Sequence, residues 1–466
     1  MGKVVFALYF ANRGFFPESL IAGAREEMIQ AVEKAGHGWI AMDPSLTKNG
    51  AIETADEGRM YARFLKEHEG QFDGVILCLP NFGDENGAVP ALRDANVPIF
   101  IQAYPDEIGK MDFDSRRDSF CGKFSIEDMF NQYGIRYTVF PPHVAHPLSE
   151  AFEQNLRDFA AVCNVVKRCR RYVIGGIGAR TTAFKTVRCD ELALEKYGVT
   201  VESHDLSELF ARIKGMKESR GEIADKKNEL RGYADFSKAP AERFDTIARM
   251  AVAIEDMIRE FKFDTVSIRC WNEMHQQLGV APCVLLGMLN DAGIAASCEM
   301  DVANVITMRA LESASGKPAA CLDWNNNYGD DPDKCILFHC GPVASALMTQ
   351  PGTVAVHKMF AKGTHPDQGW GVNEGRIKAM PITYASAATM DGKIWTYAGV
   401  GEITSDPVEK EFFGCAGVAK IDDLQKKLIY MGRNGFRHHT TLTEGHVLSA
   451  VEEAFKTYLK YETVIL

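Results

Sequence analysis

No two cysteines in this chain are spaced as CxxC, although twelve occur between Cys78 and Cys415. A zinc ribbon or a thioredoxin-type redox motif therefore has no support. Several thiols sit in apolar, strand-like runs (Cys78, Cys298, Cys321), where cysteine reads as a small buried hydrophobe. That usage suits a reducing compartment better than a secreted disulfide framework. No stretch of eighteen apolar residues exists, so nothing reads as a membrane span. GxSxG and P-loop patterns are missing. Basic charge is also in deficit: 52 Lys and Arg against 63 Asp and Glu leave a net charge of -11. Such a surface repels phosphate backbones and argues against a nucleic-acid partner, while a local basic pocket for an anionic small molecule stays open. The opening MGKVVFALYF runs straight into a strand pattern and lacks the length and flanks of a secretory signal. The expected location is the cytoplasm.

What is present is the composition of a globular protein, 46% apolar and 25% charged over 466 residues. Residues 1–168 alternate strand and helix patterns, which predicts a parallel α/β domain. Val4–Tyr9, Gly74–Leu79 and Pro98–Gln102 are apolar runs fit for strands covered on both faces. Residues 169–348 repeat the pattern, with strands at Tyr172–Ile174, Val199–Ser203 and Thr265–Ile268 and a long amphipathic helix at Ala241–Phe261. The charged segment Lys214–Lys238 reads as a solvated helix or helical hairpin. Residues 349–466 change character, with strands at Thr353–His357, Ala379–Ala387 and Ile394–Ile403 and a hairpin turn at Asp391-Gly392. The expected architecture is α/β: two Rossmann-like domains followed by a smaller β-rich domain.

Polar groups fall where α/β sheets place ligands, at the carboxyl ends of strands. Ala295–Cys298, Ala319–Leu322 and Cys335–Phe338 each lead to one metal-compatible side chain: Glu299, Asp323 and His339. A shared polar site and three independent surface caps account for this equally well. Two carboxylates and an imidazole without thiolates suit a labile Mn²⁺, Mg²⁺ or Co²⁺ ion better than structural zinc. His438-His439 reads as a polar loop before a helix, with at most one ring turned inward. GGIGAR at 175–180 lacks the third glycine of a dinucleotide fingerprint and reads as a tight turn before a helix. Asp330-Asp331-Pro332-Asp333 reads as a solvated turn. Arg13, after the first strand and before Pro17, is either a loop arginine in solvent or a binder of an anion or polyol.

Several motifs in order resemble the L-fucose/L-arabinose isomerase family. IRCWNEMHQQLGVAPCVLLGMLNDAGIAASCEMDV at 268–302 is similar to its Cys-Trp-x-Glu element, helix and Cys-Glu-x-Asp. Asp323, HCGP at 339–342 and FRHHTTL at 436–442 follow, and IGGIGARTTAFKTVRCDE and ALYFANRGFFPESL also resemble family segments. The resemblance implies a metal-dependent aldose–ketose isomerase of L-fucose isomerase-like fold, working on a free sugar through a cis-enediol. It implies trimers or hexamers with active sites between subunits. Mn²⁺, or another divalent ion such as Co²⁺ or Mg²⁺, would be held by Glu299, Asp323 and His439, with His339 a ligand or close neighbour. Glu299 and Asp323 would be catalytic; Asn12, Arg13, Trp271 and His438 would lie near substrate. Cys-Trp-Asn-Glu stands where Cys-Trp-Pro-Glu is more usual, and Arg13 replaces a different polar residue, which leaves the sugar open among fucose, arabinose and sulfoquinovose. The competing readings are a non-catalytic sugar-binding α/β protein and an NAD(P)-dependent oxidoreductase.

Overall fold

The computed structural model describes residues 2–181, 183–217, 219–360 and 367–466. Among these, the chain divides into two compact units, residues 1–167 with 449–460 and residues 168–448 with 461–466.

The first unit is built on β1 (Val5–Ala11), β2 (Gly38–Ala41), β3 (Ala51–Ile52), β4 (Gly74–Leu79) and β5 (Ile99–Ala103). All pair in parallel, in the order β2-β1-β4-β5 with β3 also on β1. β4 and β5 are buried at every residue, as continuous apolar runs require. The helix Ala55–Glu67 starts at a capping box in which Thr54 accepts from the Glu57 N–H and Glu57 reaches back. Strand order reverses between β1 and β4, the kind of switch point beside which open α/β sheets bind ligands.

The second unit holds two sheets. β6 (Tyr172–Ile177), β7 (Val199–His204), β8 (Thr265–Ile268) and β9 (Ala296–Cys298) form a parallel sheet in the order β7-β6-β8-β9. The rest are β10 (Ala319–Asn327), β11 (Lys334–His339), β12 (Thr353–Val356), β13 (Trp370–Arg376), β14 (Met380–Met390), β15 (Lys393–Ile403), β16 (Cys415–Lys420), β17 (His439–Glu444) and β18 (Glu462–Ile465). They form one nine-stranded sheet, and an extra β15–β16 pairing closes β16-β11-β10-β17-β14-β15 into a ring. A closed ring has no open edge in those strands. The result is parallel α/β sheets plus a β-rich, barrel-like part. The helix Val302–Ser315 is buried along its length and packs on β14 and β17.

Three expectations change. The strands leading to Asp323 and His339, grouped by pattern with the second α/β segment, belong to the nine-stranded sheet with the C-terminal strands. The run at 319–322 extends to Asn327, so Asp323 lies within a strand. His439 opens β17 instead of sitting in a loop. As expected, the α-helix Glu191–Lys196 follows the GGIGAR turn, after a 3₁₀ turn at Lys185–Val187; the left-handed Gly178 (φ 93°) sends its N–H to the His204 carbonyl, and a Cβ there would meet Leu206 and Arg269 at 2.8 Å. Of the segment 214–238, Gly221–Tyr233 is a helix, and Glu218 lies outside the described residues. Among the described residues no helix is long and apolar enough to cross a membrane.

Candidate active site

Glu299 directly follows β9, and both Glu299 and Met300 adopt left-handed backbone, φ 65° and 61°. Neither is glycine, so each conformation costs on the order of 1–3 kcal/mol and must be held by its surroundings. Here the Asp301 N–H donates to the Cys298 carbonyl (3.1 Å) and the Val302 N–H to that of Met300 (2.9 Å). Asp301 then caps the helix Val302–Ser315 by accepting the Asn304 N–H at 3.2 Å. The strained turn swings Glu299 toward the barrel-like sheet.

On that sheet the register supplies the partners. β10 and β17 pair antiparallel with Asp323 directly opposite His439, and His339 ends the neighbouring β11. Side chains opposite one another on such strands are natural contacts. His439 Nε2 lies 3.2 Å from both Glu299 Oε2 and Asp323 Oδ1, and His339 Nε2 lies 3.8 Å from Glu299 Oε2. Trp271, in the loop after β8, donates its indole N–H to Glu299 Oε1 at 3.0 Å. His438 precedes β17, so strand alternation does not bind it: its side chain is 41% exposed and still reaches within 3.6 Å of Asp323. Phe184 covers the group, its ring centroid 5.4 Å from that of His438, 5.6 Å from His439 and 5.7 Å from Trp271.

Asp301 and Arg437 were not singled out from sequence as site residues, yet they orient the centre. Asp301 is fully buried; it accepts from Arg437 Nη1 at 2.6 Å and Asn304 Nδ2 at 2.7 Å, and pairs with His439 Nδ1 at 2.7 Å. Burial alone would raise the Asp301 carboxyl, but Arg437 and then His439 hold it well below the usual carboxylate range. An ionised Asp301 can only accept, so a neutral His439 carries its proton on Nδ1 and turns the Nε2 lone pair to two carboxylate oxygens. His439 Nε2 and Asp323 Oδ1 are both buried without a hydrogen-bond partner. Burial lowers His439, and Cys321 with the nearby carboxylates of Asp301, Asp323 and Glu299 outweighs it. Asp323, raised by burial, is lowered more by its contact with His439 and by His339. The pocket calls for positive charge at Nε2, a proton or a metal ion. Separations of 3.2 Å match the roughly 3 Å between adjacent ligands of a six-coordinate ion with bonds of about 2.1 Å. Glu299 with His339 and His439, and Asp323 with His438 and His439, are groups whose ligand atoms lie within 4.8 Å of one another and could hold a cation.

Asn12 and Arg13 lie in the first unit, at the carboxyl end of β1. Asn12 is buried; its amide donates to Glu53 and accepts from Asn81, each at 2.8 Å. Arg13 donates to the Gly83 carbonyl (2.7 Å), pairs with Glu85 and stands over Phe82.

Residues 7–170 match the family model described as fucose/sulfoquinovose isomerase, N-terminal domain, and residues 337–466 match the L-fucose isomerase C-terminal domain. Parallel α/β sheets, a barrel-like sheet and these two matches define an aldose–ketose isomerase. The chain belongs to the L-fucose isomerase-like family. It is 25% identical to the sulfoquinovose isomerase of Priestia aryabhattai over 82% of this chain and 84% of that protein. Against that of Alkalicoccus urumqiensis it is 23% identical over 69% and 70%, and against that of Clostridium sp. (strain MSTE9) 27% over 48% and 49%.

Proposed function

We propose that the chain isomerises sulfoquinovose to 6-deoxy-6-sulfofructose through a cis-enediol, with a divalent metal ion held by Glu299, Asp323 and His439. The observation carrying the metal is the buried His439 Nε2, forced by Asp301 to present a lone pair to two carboxylates. Support for the sugar comes from relatives named sulfoquinovose isomerase that span most of the chain. When bound, the ion supplies Lewis-acid stabilisation of the developing enediolate and a template for the substrate oxygens. Glu299 and Asp323 are the groups that take the proton from one carbon and return it to the next, a contribution of about 10²–10⁴-fold. Trp271 fixes Glu299 in place, and Phe184 excludes water from the reacting face. Proton NMR with Mn²⁺ and a panel of L-fucose, D- and L-arabinose, glucose 6-phosphate and sulfoquinovose in D₂O tests this. Sulfoquinovose is expected to give its ketose with deuterium at C2 of the recovered aldose, and EDTA is expected to stop it. Conversion of the neutral sugars alone would discard the sulfonated substrate, and conversion unaffected by EDTA would discard the ion.

The two histidines divide by tautomer. The Cys340 backbone N–H donates to His339 Nδ1 at 2.9 Å, so a neutral His339 carries its proton on Nε2, the nitrogen facing Glu299. A ligand needs a lone pair there, so His339 acts as a hydrogen-bond donor beside Glu299, outside the coordination sphere. His439→Asn is expected to weaken Mn²⁺ binding, followed by the loss of the free-ion EPR signal, by at least about 100-fold. His339→Gln keeps a donor and is expected to stay within about fivefold of wild type. Equal losses would make His339 a ligand.

A further inference from the structure

Ten of the cysteines are buried, and four of them converge beneath the active site. Cys270 follows β8, Cys298 ends β9, Cys340 follows β11 and Cys283 opens the helix Cys283–Asp291. The neighbouring thiols of Cys270, Cys283 and Cys340, with burial, push the Cys298 thiol up. Cys283 Sγ and Cys340 Sγ stand 3.8 Å apart, and Cys340 Sγ is 3.2 Å from His339 Nδ1. All four are at least 95% buried, and Cys340, at 5%, is the most exposed. Ordinary core packing explains thiols in contact. It does not explain why one of them is also the hydrogen-bond neighbour of a histidine in the catalytic group.

We propose that Cys283 and Cys340 form a reversible disulfide when the protein meets a hydroperoxide, and that this bond switches the isomerase off. The geometry favours this pair. Cys298 is locked in the β8–β9 ladder opposite Ile268, whereas Cys340 lies just beyond a strand and Cys283 at the first turn of a helix, positions that can yield. The sulfurs must approach by roughly 1.8 Å to reach the bonded distance of about 2.05 Å. The core favours the product as well: a disulfide is neutral, while a thiophilic metal ion held by four thiolates would bury net negative charge beside Glu299 and Asp323. The chemistry runs in two steps. The sulfur of Cys340, its proton leaving to water, attacks one peroxide oxygen; the O–O bond breaks and the other oxygen departs as water, or as an alcohol from an organic hydroperoxide. The sulfenic acid so formed is attacked by the Cys283 sulfur, closing the S–S bond and releasing a second water. Two thiols lose two electrons to one peroxide. Drawing Cys340 toward the helix removes its sulfur from His339 Nδ1 and drags the peptide it shares with His339, so the imidazole leaves its place beside Glu299.

The loss of activity rests on the isomerase reading, but the cross-link does not, and the two are read separately. Wild-type Mn²⁺-loaded protein is treated with a few equivalents of hydrogen peroxide, free thiols are alkylated, and peptides are mapped by mass spectrometry. A Cys283–Cys340 linkage is expected, with at least a tenfold fall in sulfoquinovose turnover that dithiothreitol restores to within twofold. Cys283→Ala is expected to match wild type before oxidant and to show no dithiothreitol-reversible loss after it. A linkage through Cys298 or Cys270, or none, overturns the site whatever the activity does. A mapped Cys283–Cys340 linkage with undiminished turnover overturns the switch.

Discussion

Glu299→Gln is expected to lower kcat for the preferred aldose by more than about 10²-fold while the protein remains folded. The amide keeps the shape and still accepts the Trp271 N–H through its oxygen. It removes one negative charge from the pocket that attracts the cation and one of the two groups able to carry the proton, each of which contributes in this range. Thermal melting and Mn²⁺ binding measured on the same preparation separate the losses. With saturating Mn²⁺ bound and kcat still down by two orders of magnitude, Glu299 moves the proton. If saturation restores the rate, its part is to hold the ion. Wild-type kcat at ordinary Mn²⁺ would remove Glu299 from both roles.

Asp301→Ala is expected to be the most damaging change to the fold in this region, about 3–5 kcal/mol, read as a shift in the denaturant midpoint. Asp301 and Arg437 are a buried ion pair, their side chains 0% and 4% exposed, and deleting the carboxylate strands the guanidinium in the core. The helix Val302–Ser315 loses its cap at the same time. Asp301→Asn keeps the shape and the cap acceptor, so it probes the other role. It ceases to enforce the His439 tautomer, and the Mn²⁺ dissociation constant is expected to rise about 10–100-fold. A destabilised Asp301→Ala beside an Asp301→Asn with unchanged Mn²⁺ affinity would reduce Asp301 to a structural role.

The parts legible from sequence share a physical signature. Gly74–Leu79 is a continuous apolar run buried on both faces, and Ala241–Phe261 carries a clear apolar stripe, so their bounds follow from the pattern. Glu299, Asp323 and His339 were visible because each breaks an apolar run. His439 was not, except through the family resemblance. β17 buries Thr440, Thr441 and Thr443, whose hydroxyls are satisfied inside the protein by partners such as the Ala385 carbonyl, Thr307 and the Pro318 carbonyl. A buried strand that is polar in composition is silent to hydropathy. The helix Val302–Ser315 was missed for the opposite reason: buried on all sides, it shows no amphipathic stripe. Asp301 was noticed only as a letter of the Cys-Glu-x-Asp motif, because its work depends on Arg437 and His439, more than a hundred positions away.

The pairing of Asp323 with His439 also says something about time. The two residues become neighbours only when β17, near the end of the chain, docks antiparallel on β10, and Glu299 joins them from another sheet. Contacts of such long sequence separation close late, after local helices and hairpins have formed. A nascent chain therefore has no assembled cation site to fill until the closing strand is in register, and a slip of one residue there would turn His439 away from Asp323. On the metal-dependent function proposed above, acquiring an ion would be the chain's own signal that folding is finished.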